Sequence, residues 1–158
     1  MVTEAFHIGS TPVLLIGEKI EKVFLYVHGL HGRKEEALAF AEVALSKGYQ
    51  VMGIDLPVER KPWEVLPLLN EIRDYLYENW QSVSVRANVI NPITSWDTPT
   101  YILRPEIDMI VSEEVGRDFI SQHQCQITIM PDGEHWFHTP EQLAFLKAWE
   151  EKTIISIE

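Results

Sequence analysis

The stretch Lys22–Pro57, KVFLYVHGLHGRKEEALAFAEVALSKGYQVMGIDLP, constrains this chain most. Val23–Val27 is an apolar run rich in β-branched and aromatic residues, which predicts a strand. His28-Gly29-Leu30-His31-Gly32 is a loop whose glycines suit a tight turn with positive φ. A helix is predicted from about Arg33 to Lys47, with Ala37, Phe40, Ala41 and Ala44 on one face and Lys34, Glu35, Glu36 and Glu42 elsewhere. Gly48 reads as the residue that stops it, with Lys47 in its last turn. Tyr49–Ile54 is the next strand, and Asp55-Leu56-Pro57 leaves it. Strand, helix and strand at this spacing form a parallel crossover, expected to be right-handed.

A chain of 158 residues reads as one domain, 1–158, large enough for a real core. Its hydrophobic fraction of 46% and mean hydropathy of −0.08 are those of a globular protein in water. No apolar run approaches the about 18 residues of a membrane span. Glu4 interrupts any secretory pattern at the N-terminus, and the one cysteine, Cys125, precludes an intramolecular disulfide framework. Both fit a cytoplasmic location. A formal charge of −11 argues against a nucleic-acid backbone as partner, since that needs a basic face.

Ahead of the central unit, Ala5–Ile8 and Val13–Ile16 flank Gly9-Ser10-Thr11-Pro12 as an antiparallel hairpin. Behind it, Glu64–Trp80 carries Val65, Leu68, Leu69, Ile72, Tyr75 and Leu76 at helical spacing, with Pro62 near the start and Pro67 expected to kink or delay the first turn. Gln81–Ala87 alternates like a strand. Asn88–Pro99 has two prolines and no period. Thr100–Leu103 is a short strand, Arg104–Val111 a loop, and Ser112–Gln122 a helix capped by Ser112. Gln126–Met130 is a strand and Pro131–His138 a loop. A last helix, Pro140–Lys152, has Thr139 as N-cap and Glu141-Gln142 in its first turn.

Two loops therefore follow the last two strands, one carrying Asp108 and the other His135 in Gly133-Glu134-His135-Trp136-Phe137. In a parallel sheet both leave the carboxyl edge, where such sheets place ligands. A histidine that takes a proton from a nucleophile needs a carboxylate on its other ring nitrogen to fix the tautomer. His138 and Glu134 compete for these roles within the loop, while Trp136 and Phe137 read as packing residues.

The strand entering His28-Gly29, the strand ending Ile54-Asp55-Leu56-Pro57, and the C-terminal run WDTPTYIL, Asp108, ITIMPDGEHWF resemble the α/β-hydrolase fold family. The resemblance covers about Phe6–Ala87 and Ser95–Lys152. It implies an α/β three-layer sandwich with a mostly parallel twisted sheet and an N-terminal antiparallel hairpin. It also implies hydrolysis of small carboxylic esters or related acyl substrates by a Ser-Asp-His triad, without cofactor or metal. Asp108 carries over as the acid and His135 as the base. Gly29 and the N–H of Leu30 carry over as the oxyanion side of the site.

The same resemblance calls for a serine on a strained elbow after Gln81–Ala87. The chain reads Ala87-Asn88-Val89-Ile90-Asn91-Pro92 there, with Val89 at the serine position and Asn91 at a glycine position. Pro92 disfavours helix at Asn91. The elbow helix, a following strand and the lid are absent, with the gap near 88–95, so the core is truncated. A segment of about twelve residues reaches ~40 Å, enough to return along a strand of ~17–20 Å while leaving part of one sheet face uncovered. Ser82 and Ser84 lie inside a strand, Ser95 and Cys125 precede strands, Ser112 is a cap, and Asp55 reads as a rim residue. The chain as written is then expected to be inactive or nearly so. A second expectation is a non-catalytic binding protein that associates with itself through the uncovered face. A third, a metal site from His28, His31, Asp55 and His135, rests only on a His-x-x-His spacing.

Overall fold

A computed structural model describes residues 1–29, 31–57, 60–87, 99–122 and 125–154. Packing divides the chain into two compact units, Met1–Ile90 with Ile155–Glu158, and Asn91–Ile154. The expected gap near 88–95 and the elbow remnant lie outside the described residues.

The first unit holds β1 (Thr3–Ile8), β2 (Thr11–Ile16), β3 (Lys22–Val27), α1 (Ala37–Ser46), β4 (Gln50–Ile54), α2 (Pro62–Asn79) and β5 (Ser82–Ala87). A 3-10 turn, Lys34–Glu36, leads into α1. The five strands lie in the order β1-β2-β4-β3-β5. β3 runs parallel to β4 and β5, while β2 runs antiparallel to β1 and β4. The hairpin and the parallel crossover are as the sequence predicts. Gly48 takes φ +80, its N–H donates to the Leu45 carbonyl and that of Tyr49 to the Ala44 carbonyl, which closes α1 with a Schellman turn.

Side-chain alternation sends the two helices to opposite faces of this sheet. Val23, Leu25, Met52 and Ile54 pack with Ile72 and Leu76 of α2. Phe24 and Tyr26 point the other way and meet Phe40 of α1 at ring distances of 5.3 and 5.9 Å. Ile72 and Leu76 are buried, each worth about 1.5–3 kcal/mol. That burial explains why α2 runs unbroken through Pro67, whose missing N–H forgoes a single bond to the turn before it. Gln50 is buried at the start of β4, where it accepts from Trp80 Nε1 at 3.0 Å and donates to the Gly17 carbonyl at 3.1 Å. On β5 the face shared with Phe24 and Tyr26 carries Ser82, Ser84 and Arg86, and the Arg86 guanidinium lies 5.5 Å over the Tyr26 ring.

The second unit holds β6 (Thr100–Ile107), α3 (Glu113–Gln122), β7 (Cys125–Glu134) and α4 (Pro140–Thr153). β6 and β7 pair in parallel. Both run further than the sequence predicts: β6 continues past Leu103 to Ile107, and β7 past Met130 to Glu134. Pro105 and Pro131 suggest loops, yet proline's fixed φ suits extended chain and its carbonyl still accepts. The ladder is irregular between Pro105 and Ile107. Pro105 stands opposite Met130, but Ile107 stands opposite Glu134. β7 thus bulges outward by two residues around Asp132, which takes φ 52, and Gly133.

Candidate functional site

The bulge decides what Asp108 meets. Had the ladder kept the Pro105–Met130 offset, Gly133 would stand level with Asp108. With the bulge the residue after Glu134 does so, and that residue is His135. His135 Nδ1 lies 2.9 Å from Asp108 Oδ1. The same oxygen accepts the backbone N–H groups of Ile110 and Val111, each at 2.9 Å. The Asp108 side chain is 5% exposed and that of His135 26%. Burial pushes the Asp108 pKa up. The N–H groups of Val111 and Ile110 and the His135 ring outweigh it, and the carboxyl sits below its ordinary value. An ionised carboxylate only accepts, so Nδ1 of His135 carries the proton and Nε2 is left as the basic nitrogen. Trp136 packs edge-on against the imidazole at 4.8 Å.

The rivals in this loop do not match that arrangement. His138 Nδ1 sits 2.6 Å from the Trp136 carbonyl and 3.8 Å from Glu134 Oε2, and both side chains are exposed. Exposed pairs of this kind contribute little.

In the first unit, His28 is buried, and its Nε2 accepts the Leu56 N–H at 3.1 Å. Its Nδ1 therefore carries the proton and donates to the Gly29 carbonyl at 2.7 Å. Gly32 N–H reaches the same carbonyl at 3.0 Å. The His28-Gly29 turn is thus held by its own histidine. Leu30 lies outside the described residues. Asp55 accepts from Lys34 N and Nζ, each at 2.7 Å. Burial raises the Asp55 pKa, the Lys34 bonds and charge lower it further, and the group is held below its ordinary value. Lys34 thus straps Asp55 to the start of the 3-10 turn. With both His28 nitrogens engaged, the His28–His31 metal reading loses its first ligand. Among the described residues no three His, Cys, Asp or Glu side chains converge on a metal-sized site.

No protein-family model matches the sequence, and a search of curated proteins returns no match. Solved structures do match. Est1E from Butyrivibrio proteoclasticus aligns over 95% of this chain and 96% of its own, with TM-score 0.75 and 12% identity. Dienelactone hydrolase from Anabaena variabilis ATCC 29413 aligns over 96% and 94%, with TM-score 0.68 and 16% identity. The esterase Pf2001 from Pyrococcus furiosus aligns over 96% and 88%, with TM-score 0.71 and 11% identity. The chain has the α/β-hydrolase fold.

Within this α/β-hydrolase fold the structure brings together Asp108 and His135. Gly29 lies in the His28 turn of the other unit, and its neighbour Leu30 lies outside the described residues. Ser82 and Ser84 are inside β5, opposite Lys22 and Phe24. Ser112 Oγ accepts from Val115 N at 3.4 Å and caps α3. Cys125 opens β7, and burial raises its thiol pKa, which leaves little thiolate. Val89, Asn91 and Ser95 fall outside the described residues. Sequence reasoning missed two residues that shape the site. Glu106 Oε2 accepts the Asp132 N–H at 2.9 Å, and Gln142 Nε2 donates to the Asp132 carbonyl at 3.3 Å. The capping pattern from Thr139 to Gln142 was a signal for the second, and nothing in the sequence pointed to the first.

Proposed function

We propose that this chain is an α/β-hydrolase-fold protein of ester or related acyl chemistry. His135 is the base and Asp108 its orienting acid. The chain as written turns over little or no ester because it lacks the nucleophilic serine. The observation that carries the reading is the His135 Nδ1–Asp108 Oδ1 bond of 2.9 Å, on a carboxylate already held by two backbone N–H groups. That geometry leaves Nε2 ready to accept a proton. Its neighbours in fold include esterases and a dienelactone hydrolase, which supports the substrate class. In this reading the protein is cytoplasmic, uses no cofactor and, were it active, would take a small-molecule ester or acyl substrate.

Incubation with a fluorophosphonate probe, read by intact mass, tests the proposal. No adduct at 18.3 kDa is the expected result. An adduct on a chain of that mass would overturn the inactive reading, and peptide mapping would name the nucleophile.

A second reading is a non-catalytic protein that associates with itself. Exposed Val85 on the edge strand β5 favours it. Sedimentation showing a concentration-independent monomer would remove it.

A further inference from the structure

The segment that carries His135 is held at both ends by a single buried side chain. Gln142 lies in the first turn of α4 and is 8% exposed. Its Oε1 accepts the N–H of His138 at 3.0 Å and that of Thr139 at 3.5 Å. Its Nε2 donates to the Asp132 carbonyl at 3.3 Å. Only this amide orientation fits, because two donors face one end and a carbonyl faces the other. Asp132 and His138 bracket His135 by three residues on either side. Asp132 is also the left-handed residue of the bulge that brings His135 level with Asp108.

We propose that Gln142 is a positioning residue for His135. By tying the Asp132 carbonyl to the His138 amide it fixes the span of the loop, and the imidazole is held with Nδ1 on Asp108. The proposal rests on the Asp108–His135 pair being the working centre of the proposed function.

The plainer role for Gln142 is a helix cap, since Thr139 Oγ1 accepts its N–H at 3.2 Å in a reciprocal capping box. The two roles separate by chemistry. A cap at this position needs only an acceptor, which glutamate supplies as well as glutamine. The Asp132 clamp needs a donor, which an ionised glutamate lacks. Gln142→Glu therefore keeps the cap and breaks the clamp, while Thr139→Ala breaks the cap and keeps the clamp.

The experiment measures the His135 tautomer ratio by 15N-imidazole NMR on the full chain, at a pH where the ring is neutral. Wild type is expected to carry the proton on Nδ1. In Gln142→Glu the Nδ1–H to Nε2–H ratio is expected to fall about tenfold, the worth of one net hydrogen bond. Thr139→Ala should lower thermal stability and leave the ratio unchanged. Gln142→Met, close in length and compatible with helix, gives the same readout should the glutamate variant not fold. A wild-type ratio in Gln142→Glu or Gln142→Met, or a changed ratio in Thr139→Ala, overturns the proposal. A wild type whose His135 does not favour Nδ1–H would instead sink the Asp108–His135 reading itself, and the proposal with it.

Discussion

Gly53 sits mid-strand in β4 between Leu14 and Tyr26, and a methyl group there would land on the backbone of the 3-10 turn. An alanine Cβ at this position would lie 2.4 Å from the Lys34 carbonyl oxygen and 3.0 Å from Ala37 Cβ. Carbon–oxygen contacts settle near 3.3–3.6 Å, so the turn must retreat by about 1 Å. Overpacking of a well-filled site costs about 1–3 kcal/mol. The retreat also stretches the Lys34 N–H bond to Asp55, 2.7 Å long, and bonds to charged groups are worth about 1.5–3 kcal/mol. Replacing glycine in a strand returns roughly 0.5–1 kcal/mol. Gly53→Ala should therefore destabilise by about 2–5 kcal/mol, a large share of the roughly 5–15 kcal/mol typical of a native protein. Urea unfolding followed by circular dichroism should show the midpoint falling at an unchanged slope. Gly48→Ala is the control: nothing lies within 4 Å of its Cβ, so it should lose only the left-handed strain of about 1–2 kcal/mol. A Gly53→Ala protein less destabilised than the Gly48→Ala control would refute the packing argument.

Asp108→Ala leaves the Ile110 and Val111 N–H groups without their acceptor and should cost about 1–3 kcal/mol in chemical denaturation. Asp108→Asn, which keeps an acceptor oxygen, should cost clearly less. Acid titration follows from the depressed pKa values of Asp108 and Asp55. Below their ordinary value of 3.8 the unfolded chain binds protons that the folded chain still refuses, so stability is full above that pH and falls as pH drops through the folded values. Denaturant midpoints measured against pH should show that fall, and Asp108→Asn should shrink it. Asp132→Val places a β-branched residue at φ 52 and should lower the melting temperature by the equivalent of about 1–2 kcal/mol, whereas Asp132→Gly should stay close to wild type.

Much of the first unit was legible because its signals are local. Val23–Val27, the apolar face from Ala37 to Ala44, and Gly48 each act within a few residues, and the fold follows them. Asp108 and His135 were legible through their places after consecutive strands. The ends of β6 and β7 were not, because Pro105, Pro131 and Gly133 read as breaks along one chain, whereas the ladder is decided across two. The continuity of α2 through Pro67 was hidden for a similar reason: Ile72 and Leu76 repay the lost bond through burial against the sheet, which propensity does not register. Glu106 reads as an ordinary polar residue, and Gln142 only as part of a helix cap, until the bulge gives them a common partner in Asp132.

The bulge in β7 adds two residues, and that number carries a consequence for how this loop can change length over evolutionary time. Strand side chains alternate faces with a period of two. Gaining or losing a residue pair between Met130 and Glu134 preserves the face from which His135 emerges. A single-residue insertion or deletion turns the imidazole to the opposite face, away from Asp108, unless the strand absorbs it as a one-residue bulge. An even change in length keeps the histidine on the face of Asp108 by alternation alone, whereas an odd one needs the backbone itself to bend around it.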